Sequence, residues 1–308
     1  MGFLNLKHVP SINFMGNRRV PFGISGALVL FVLLALLIKG VPYGVDFKGG
    51  AMVEVRAPHA VKLDDVRPVL AKALGSNASV QSLDTAADFL VRFDAEAVGD
   101  DKDATLSKIT QAFGEGSRVR RFEAVGPKVS AELLQSGLYA IFLALLAMLL
   151  YIWFRFEWRY GLAALIALLH DCVAVLGLYA VARIEFNETA IVALLITASY
   201  SINDTVVVFD RVRENKGRYT TMPLQELLNL SVNETLSRTL LTSLTTLAAL
   251  WVLYLFGGPV IAMFSLPILV GLFVGTYSSI CLATPLLYLL SLSFHKTALV
   301  NQNNRHEP

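Results

Sequence analysis

Apolar residues run through this chain in long blocks. Val20 to Ile38 and Leu133 to Phe154 carry no charge. Tyr160 to Ala182 is broken only by His170-Asp171, and Thr189 to Phe209 only by Asn203-Asp204. From Thr239 to Phe294 there is no Asp, Glu, Lys, Arg or His, which leaves room for two helices divided at Gly257-Gly258-Pro259. A helix needs about 20 apolar residues to cross the hydrocarbon core of a bilayer. The pattern therefore predicts six transmembrane helices.

Between the first and second blocks the pattern changes to that of a soluble domain. Ala51 to Arg56 alternates as a strand does. Leu63, Val66, Val69, Leu70 and Leu74 recur at helical spacing. Ser79 to Leu83 and Phe89 to Phe93 read as short strands around a polar turn at Asp84 to Asp88. Ala104 to Phe113 is a second helix, with Leu106, Ile109 and Phe113 on one face. Arg118 to Val125 is a last strand, closed by Gly126-Pro127. This strand–helix–strand–strand–helix–strand order fits a ferredoxin-like α+β sandwich with one modest core.

Composition agrees with a membrane protein: 55% of the 308 residues are hydrophobic and 16% are charged, against roughly 25% charged in soluble domains. Charge then sets the orientation. With the N-terminus inside, the inner segments hold Lys7, Arg18, Arg19, Arg155, Arg159, Arg211, Arg213, Lys216, Arg218, Arg238, Lys296 and Arg305, and the two short outer loops hold only Arg183. Short inner loops carry the excess of Lys and Arg, so the expected topology is N-in, C-in. The layout is an inner N-terminus (1–19), a first span (20–39), an external domain (40–130), spans two to six (131–292) and an inner tail (293–308). The first span is too long for a signal h-region and lacks a nearby small-x-small site, so it is expected to stay as an anchor.

The external domain shows no nucleophile–base pair, no metal-ligand spacing and no phosphate loop. His59 beside Pro58 reads as a surface residue. Arg118, Arg120 and Arg121 form a basic patch, read either as a partner contact or as a solvated strand face. Cys172 and Cys281 lie within spans and suggest packing rather than a disulfide or metal site. Binding or movement suits this domain better than catalysis, and no cofactor or nucleic-acid partner is expected.

The candidate chemistry lies in the membrane. A carboxylate there costs a few kcal/mol and is seldom kept without a role. Asp204 shares its helix side with Thr197, Tyr200 and Ser201, and Asn203 adds an amide. Burial would favour its protonated form near neutral pH; permanent pairing with a cation is the structural alternative. The candidate cation is Arg238. It lies in a stripe of Thr235, Thr242, Thr245 and Thr246 that suits a water wire, although such hydroxyls also bond back to their own helix, and the structural alternative is an interfacial arginine snorkelling to lipid headgroups. His170-Asp171 reads as either a proton relay or a hydrogen-bonded helix tie. Gly271-x-x-x-Gly275-x-x-x-Ser279 permits close helix contact.

These residues also carry a resemblance. The chain resembles the SecD–SecF family of bacterial protein-export factors, on the side of its smaller subunits. The shared motifs are Ile12-Asn-Phe-Met-Gly16 with Arg18-Arg19, Gly44-Val-Asp-Phe-Lys-Gly-Gly50 (including Asp46, Phe47, Gly49 and Gly50) and Val125-Gly-Pro-Lys-Val129. They continue through Leu169-His-Asp171, Ser201-Ile-Asn-Asp-Thr205, Asp210-Arg-Val-Arg-Glu-Asn215 and Leu236-Ser-Arg-Thr-Leu240, and end with Tyr254-Leu-Phe-Gly-Gly258 and Gly275-Thr-Tyr-Ser-Ser279. The tail from Ser293 matches nothing specific. The resemblance implies a resistance-nodulation-division architecture in the bacterial inner membrane, with the α+β domain in the periplasm. It also implies pairing with a six-helix SecD partner, association with the SecYEG channel and YajC, and contact with the translocating preprotein and membrane lipid. Protons would be the coupling ion, with Asp204 and Arg238 as the conducting pair. From their positions in the spans alone, His170, Asp171, Asn203, Ser201 and Thr242 are candidate relay or helix-pairing groups. Two other functions stay open: half of a proton-coupled small-molecule efflux transporter, and a passive scaffold stabilising SecD. Efflux transporters carry both halves and two large external domains in one chain, which argues against the first.

Overall fold

The computed structural model describes residues 11–75, 78–83, 87–94 and 102–292. Positions 84–86 of the expected polar turn lie outside the described residues, as do 1–10 with Lys7 and 293–308 with Lys296 and Arg305. In chain order the elements are α1 (Arg19–Lys39), α2 (Val45–Lys48), β1 (Gly50–Arg56), α3 (Leu63–Leu74), β2 (Ser79–Ser82), β3 (Asp88–Phe93), α4 (Lys102–Ala112), β4 (Arg118–Val125), α5 (Pro127–Arg155), α6 (Trp158–Ala182), α7 (Glu188–Arg218), α8 (Leu224–Phe256) and α9 (Gly258–Ser278). A π-helical turn follows at Ser279–Ala283. Among the described residues six helices are long and apolar enough to cross a membrane, the last being Ile261–Leu292. The chain is thus a multi-pass membrane protein with a small four-stranded sheet.

Two compact units share the chain: one holds 42–140 with 185–189, the other the remainder. In the first, the strands are ordered β2-β3-β1-β4 and every pair is antiparallel. Ala51, Val53 and Val55 alternate inward along β1, as a period of two requires, and meet Val66, Leu70 and Leu74 of α3 and Ile109 of α4. Gly75, at φ +100°, ends α3 in a conformation that side chains resist. The opposite sheet face is polar. Arg120 reaches Asp88 at 3.5 Å and Glu54 at 3.7 Å, and Arg121 pairs with Glu123. Two of the three patch arginines are therefore paired along the strands, as a solvated strand face would have them.

Neither α2 nor what docks on it was apparent from residue spacing. Phe186 packs against Phe47 and Tyr43, with ring centroids 5.8 and 6.2 Å away. The Gly44 amide donates to the Phe186 carbonyl at 2.9 Å, and the Phe186 amide to that of Pro42 at 2.8 Å. Glu185 pairs with Arg92 at 2.5 Å. Burial pushes the Glu185 carboxyl above the usual carboxylate range, against the pull of Arg92.

In the helical unit, α6, α7 and the last span are well buried, while α1, α5 and α8 turn most of their surface outward. Leu37, Ile38, Phe154 and Phe256 stand exposed, as lipid-facing side chains do. Inside, Phe156 stacks on Tyr160 and both rings meet Phe209 edge to face. The N-terminal motif is clasped to α8: Asn233 Oδ1 accepts from the Ile12 amide at 3.0 Å and Asn229 Oδ1 from the Met15 amide at 2.9 Å. The Met15 side chain is fully buried.

Candidate functional site

Along α7, Thr197, Ser201, Asp204 and Val208 recur at steps of three and four, Thr205 sits beside Asp204 four residues after Ser201, and all are buried. This is the inward stripe of an amphipathic helix. Tyr200, expected on the same side, is 41% exposed at the stripe's edge, and Asn203 points outward. The stripe is narrower than spacing alone implied, because residues one turn away deviate by tens of degrees around the helix.

Small residues on α9 let this stripe come close. A methyl group at Gly271 would lie 2.2 Å from Thr197 Oγ1, and one at Gly275 would lie 3.0 Å from Ser201 Cβ. At Ser279 the expected packing contact is a polar one: its hydroxyl lies 2.8 Å from that of Thr205 and donates to the Ser201 carbonyl at 3.1 Å. The π-helical turn that begins there advances the register by one residue, so Ser278 and Ser279 both reach inward partners.

Asp204 is 6% exposed. Ser243 of α8 donates to its Oδ2 at 3.2 Å, and Thr276 of α9 donates to Ser243 at 2.7 Å. Among the described residues no cation lies within ion-pairing distance of Asp204. Arg238 is near enough for its charge to act on the carboxylate, but it is exposed on α8 and forms no ion pair among the described residues. The two are neighbours rather than a closed salt bridge. The threonine stripe around Arg238 is back-bonded: Thr235, Thr242, Thr245 and Thr246 each donate to a carbonyl three or four residues earlier. Such hydroxyls are already used by their own helix, and the side chain that reaches Asp204 is Ser243 instead.

A second polar cluster surrounds Asp171, which is fully buried. Ser201 and Ser278 donate to its Oδ2 at 2.5 and 2.6 Å, and His170 Nδ1 lies 2.9 Å from its Oδ1. Asp171 thereby links α6 to α7 and α9. Spacing had singled out Ser201 but not Ser243, Thr276 or Ser278. Single hydroxyls in an apolar run are too common to stand out, and only the Gly271-to-Ser279 rhythm hinted at this face.

At the end of α7 the Asp210–Asn215 tract is an interhelical clasp. Asp210 pairs with Arg155 at 2.8 Å. Glu234 of α8 pairs with Arg211 at 2.7 Å and accepts from Asn215 at 2.6 Å. In the sheet-containing unit, Gly49 and Gly50 adopt φ of +77° and +137°, and a methyl group at Gly50 would press to 3.0 Å from the Phe93 carbonyl. Phe47 is buried against Phe186, and Asp46 Oδ2 accepts from the Glu188 amide at 3.4 Å. Among the described residues no three His, Cys, Asp or Glu side chains gather as metal ligands would, and Cys172 and Cys281 are free thiols.

Comparison with known proteins places these features in context. Residues 105–293 match the model of the protein export membrane protein SecD/SecF C-terminal family, and residues 34–57 match the SecD/SecF GG motif. The chain is 40% identical to the protein translocase subunit SecF of Desulfurispirillum indicum, over 90% of each. It is 39% identical to the SecF of Pseudomonas aeruginosa, over 94% of each. It is 41% identical to the subunit SecDF of Brucella abortus, over 95% of this chain but 39% of that longer protein. A crystal structure of SecDF from Thermus thermophilus, described as a translocon-associated membrane protein, superposes with a TM-score of 0.83 at 35% identity. It covers 94% of this chain and 40% of that one.

Proposed function

The chain belongs to the SecD/SecF family of protein-export membrane proteins, and on that footing we propose that it is an accessory subunit of the Sec preprotein translocase. It couples the proton motive force to the late, outward steps of export. The observation that carries this reading is Asp204: a buried carboxylate at membrane depth, held by a serine and without an ion-pair partner among the described residues. Such a group is costly unless it exchanges a proton or faces a hydrated path. In this reading Asp204 carries the proton, and Arg238 favours its release by stabilising the carboxylate.

Several features support the wider setting. Asn203, Arg238 and Thr242 are exposed at membrane depth in the single chain, and such groups normally turn toward protein or water. A six-helix partner of the SecD type would cover them. The SecDF relatives, of which this chain spans about two fifths, have length to spare for that partner half. The excess of Lys and Arg in the short loops supports N-in, C-in, with the α+β unit in the periplasm and the helices in the bacterial inner membrane. The antiparallel order β2-β3-β1-β4 supports a ferredoxin-like sandwich. SecYEG, YajC, lipid and the preprotein are the remaining partners in this reading, and no hydrolytic step is assigned. Each proton crossing 100 mV releases about 2.3 kcal/mol, so a few suffice to repack a modest interface.

The test uses cells whose only copy carries Asp204→Asn. The variant should accumulate, co-purify with a SecD-like subunit and leave preproteins unprocessed. Normal export by a normally assembled variant would refute proton coupling through Asp204.

A further inference from the structure

The connection between α6 and α7 is short: five residues, 183–187, separate Ala182 from Glu188. A connector of that length has little slack, so movement of either helix end passes into it. Arg183 closes α6 in the left-handed region, at φ 56°, and its guanidinium donates to the Lys39 carbonyl at 2.8 Å. Residues 185–189 nonetheless belong to the sheet-containing unit, while 141–184 and the chain from 190 onward belong to the helical one. The two helices joined by this strap carry the buried carboxylates Asp171 and Asp204.

The strap is held by three kinds of contact. Phe186 pairs with Tyr43 as in a parallel ladder and makes the two main-chain bonds to residues 42 and 44. Its ring is 6% exposed against Tyr43 and Phe47. Glu185 pairs with Arg92 of β3, and Asp46 accepts from the amide of Glu188, the first residue of α7. Release would give up a buried ring, two main-chain bonds and an ion pair together, so the closed dock is the resting state.

Most of these contacts converge on α2, which is itself joined stiffly to β1. Gly49 is the single residue between them, and its amide donates to the Val45 carbonyl at 2.9 Å. The positive φ of Gly49 and Gly50 is one that side chains resist. A methyl group at Gly49 would lie 3.5 Å from Pro127 Cα, and the Ser130 hydroxyl donates to the Val45 carbonyl at 3.4 Å. One turn thus ties α2 to β1 and to the start of α5.

We infer that the 185–189 strap and α2 form a coupling joint that stays closed through the export cycle and carries movement of α6 and α7 to the sheet, with Gly49-Gly50 as its stiff link. Phe186 is a positioning residue in this joint: it touches no proton-carrying group and acts by holding the strap on α2. The inference rests on the proton-coupled reading above and deepens it, since a proton at Asp204 does mechanical work only if its helix is tied to something that moves.

Membrane vesicles carrying the complete Sec machinery are assayed for preprotein translocation with and without an imposed proton gradient. Phe186→Ala should accumulate and keep the gradient-free rate, yet lose most of the severalfold acceleration by the gradient. A covalent dock should restore it. A Cβ at Gly44, whose φ of −73° suits any residue, would lie 3.2 Å from Asn187 Cβ, near the roughly 3.8 Å of a disulfide. Gly44→Cys with Asn187→Cys, in a chain with Cys172→Ala and Cys281→Ala, should respond fully to the gradient when oxidised. Added to Phe186→Ala, the oxidised pair should bring the response back. If Phe186→Ala does not accumulate, Gly44→Pro takes its place, because proline fits that φ but lacks the amide that donates to Phe186. A full response with the dock broken, or an oxidised pair that fails to rescue, would overturn the joint. Loss of response on oxidation of the otherwise intact dock would overturn it too, since the strap would then have to open in each cycle. Asp204→Asn in the same vesicles separates the two readings. If it still responds while Phe186→Ala does not, the Asp204 reading fails and the joint stands; the reverse pattern sinks the joint alone. Wild-type vesicles that ignore the gradient would end both.

Discussion

At Arg238, charge and geometry pull toward different accounts. A buried partner of Asp204 would form a salt bridge, and its removal would strand a carboxylate at a cost of roughly 3–5 kcal/mol. Arg238 is instead exposed and unpaired among the described residues, so its removal should spare folding. Arg238→Met is expected to accumulate near the wild-type level yet lose most gradient-dependent export, whereas Arg238→Lys should keep a substantial part of both. Immunoblots of the membrane fraction alongside preprotein processing separate these outcomes; loss of the protein itself would favour structural pairing. Asp204 and Arg238 were legible in the sequence because charge inside an apolar run is conspicuous. Ser243, Thr276 and Ser278 were not, because whether a serine faces a carboxylate or its own helix is decided by neighbours in space.

The six spans were legible as uncharged or nearly uncharged blocks, but not the helix ends: α8 begins at Leu224, well before the block that opens at Thr239, and α5 begins at Pro127. Their charged extensions, such as α7 running on to Arg218, show how intrahelical hydrogen bonding continues beyond the apolar block. Contact between elements was less readable. The Gly271 rhythm pointed to a tight face, and the structure identifies Thr197 as what fills it. Gly271→Ala should destabilise the α7–α9 contact by about 1–3 kcal/mol, and adding Thr197→Ala should recover part of that loss, which a double-mutant cycle in detergent unfolding measures. The docking of 185–189 was invisible because residues 44 and 186 meet only in three dimensions. Its Glu185 has a raised pKa, so ionising it costs stability. The dock should be firmest below the ordinary carboxylate range and loosen as pH rises from there through the raised value. Protection of the Gly44 amide, corrected for intrinsic exchange, should fall as pH rises above the ordinary carboxylate range, and Glu185→Gln should flatten that dependence.

For the whole molecule, the buried carboxylates Asp171 and Asp204 lie in helices long and apolar enough to cross a membrane, and among the described residues no three His, Cys, Asp or Glu side chains gather as metal ligands would. In the proposed reading, energy enters through the helices, as protons at Asp204. Membrane vesicles carrying the complete Sec machinery, with this chain either wild type or Asp204→Asn, give the most direct measurement: the rate of late preprotein translocation with and without an imposed proton gradient. The gradient should speed the wild type severalfold and leave the variant at its gradient-free rate, with both equally assembled. Equal acceleration of the two would contradict that reading.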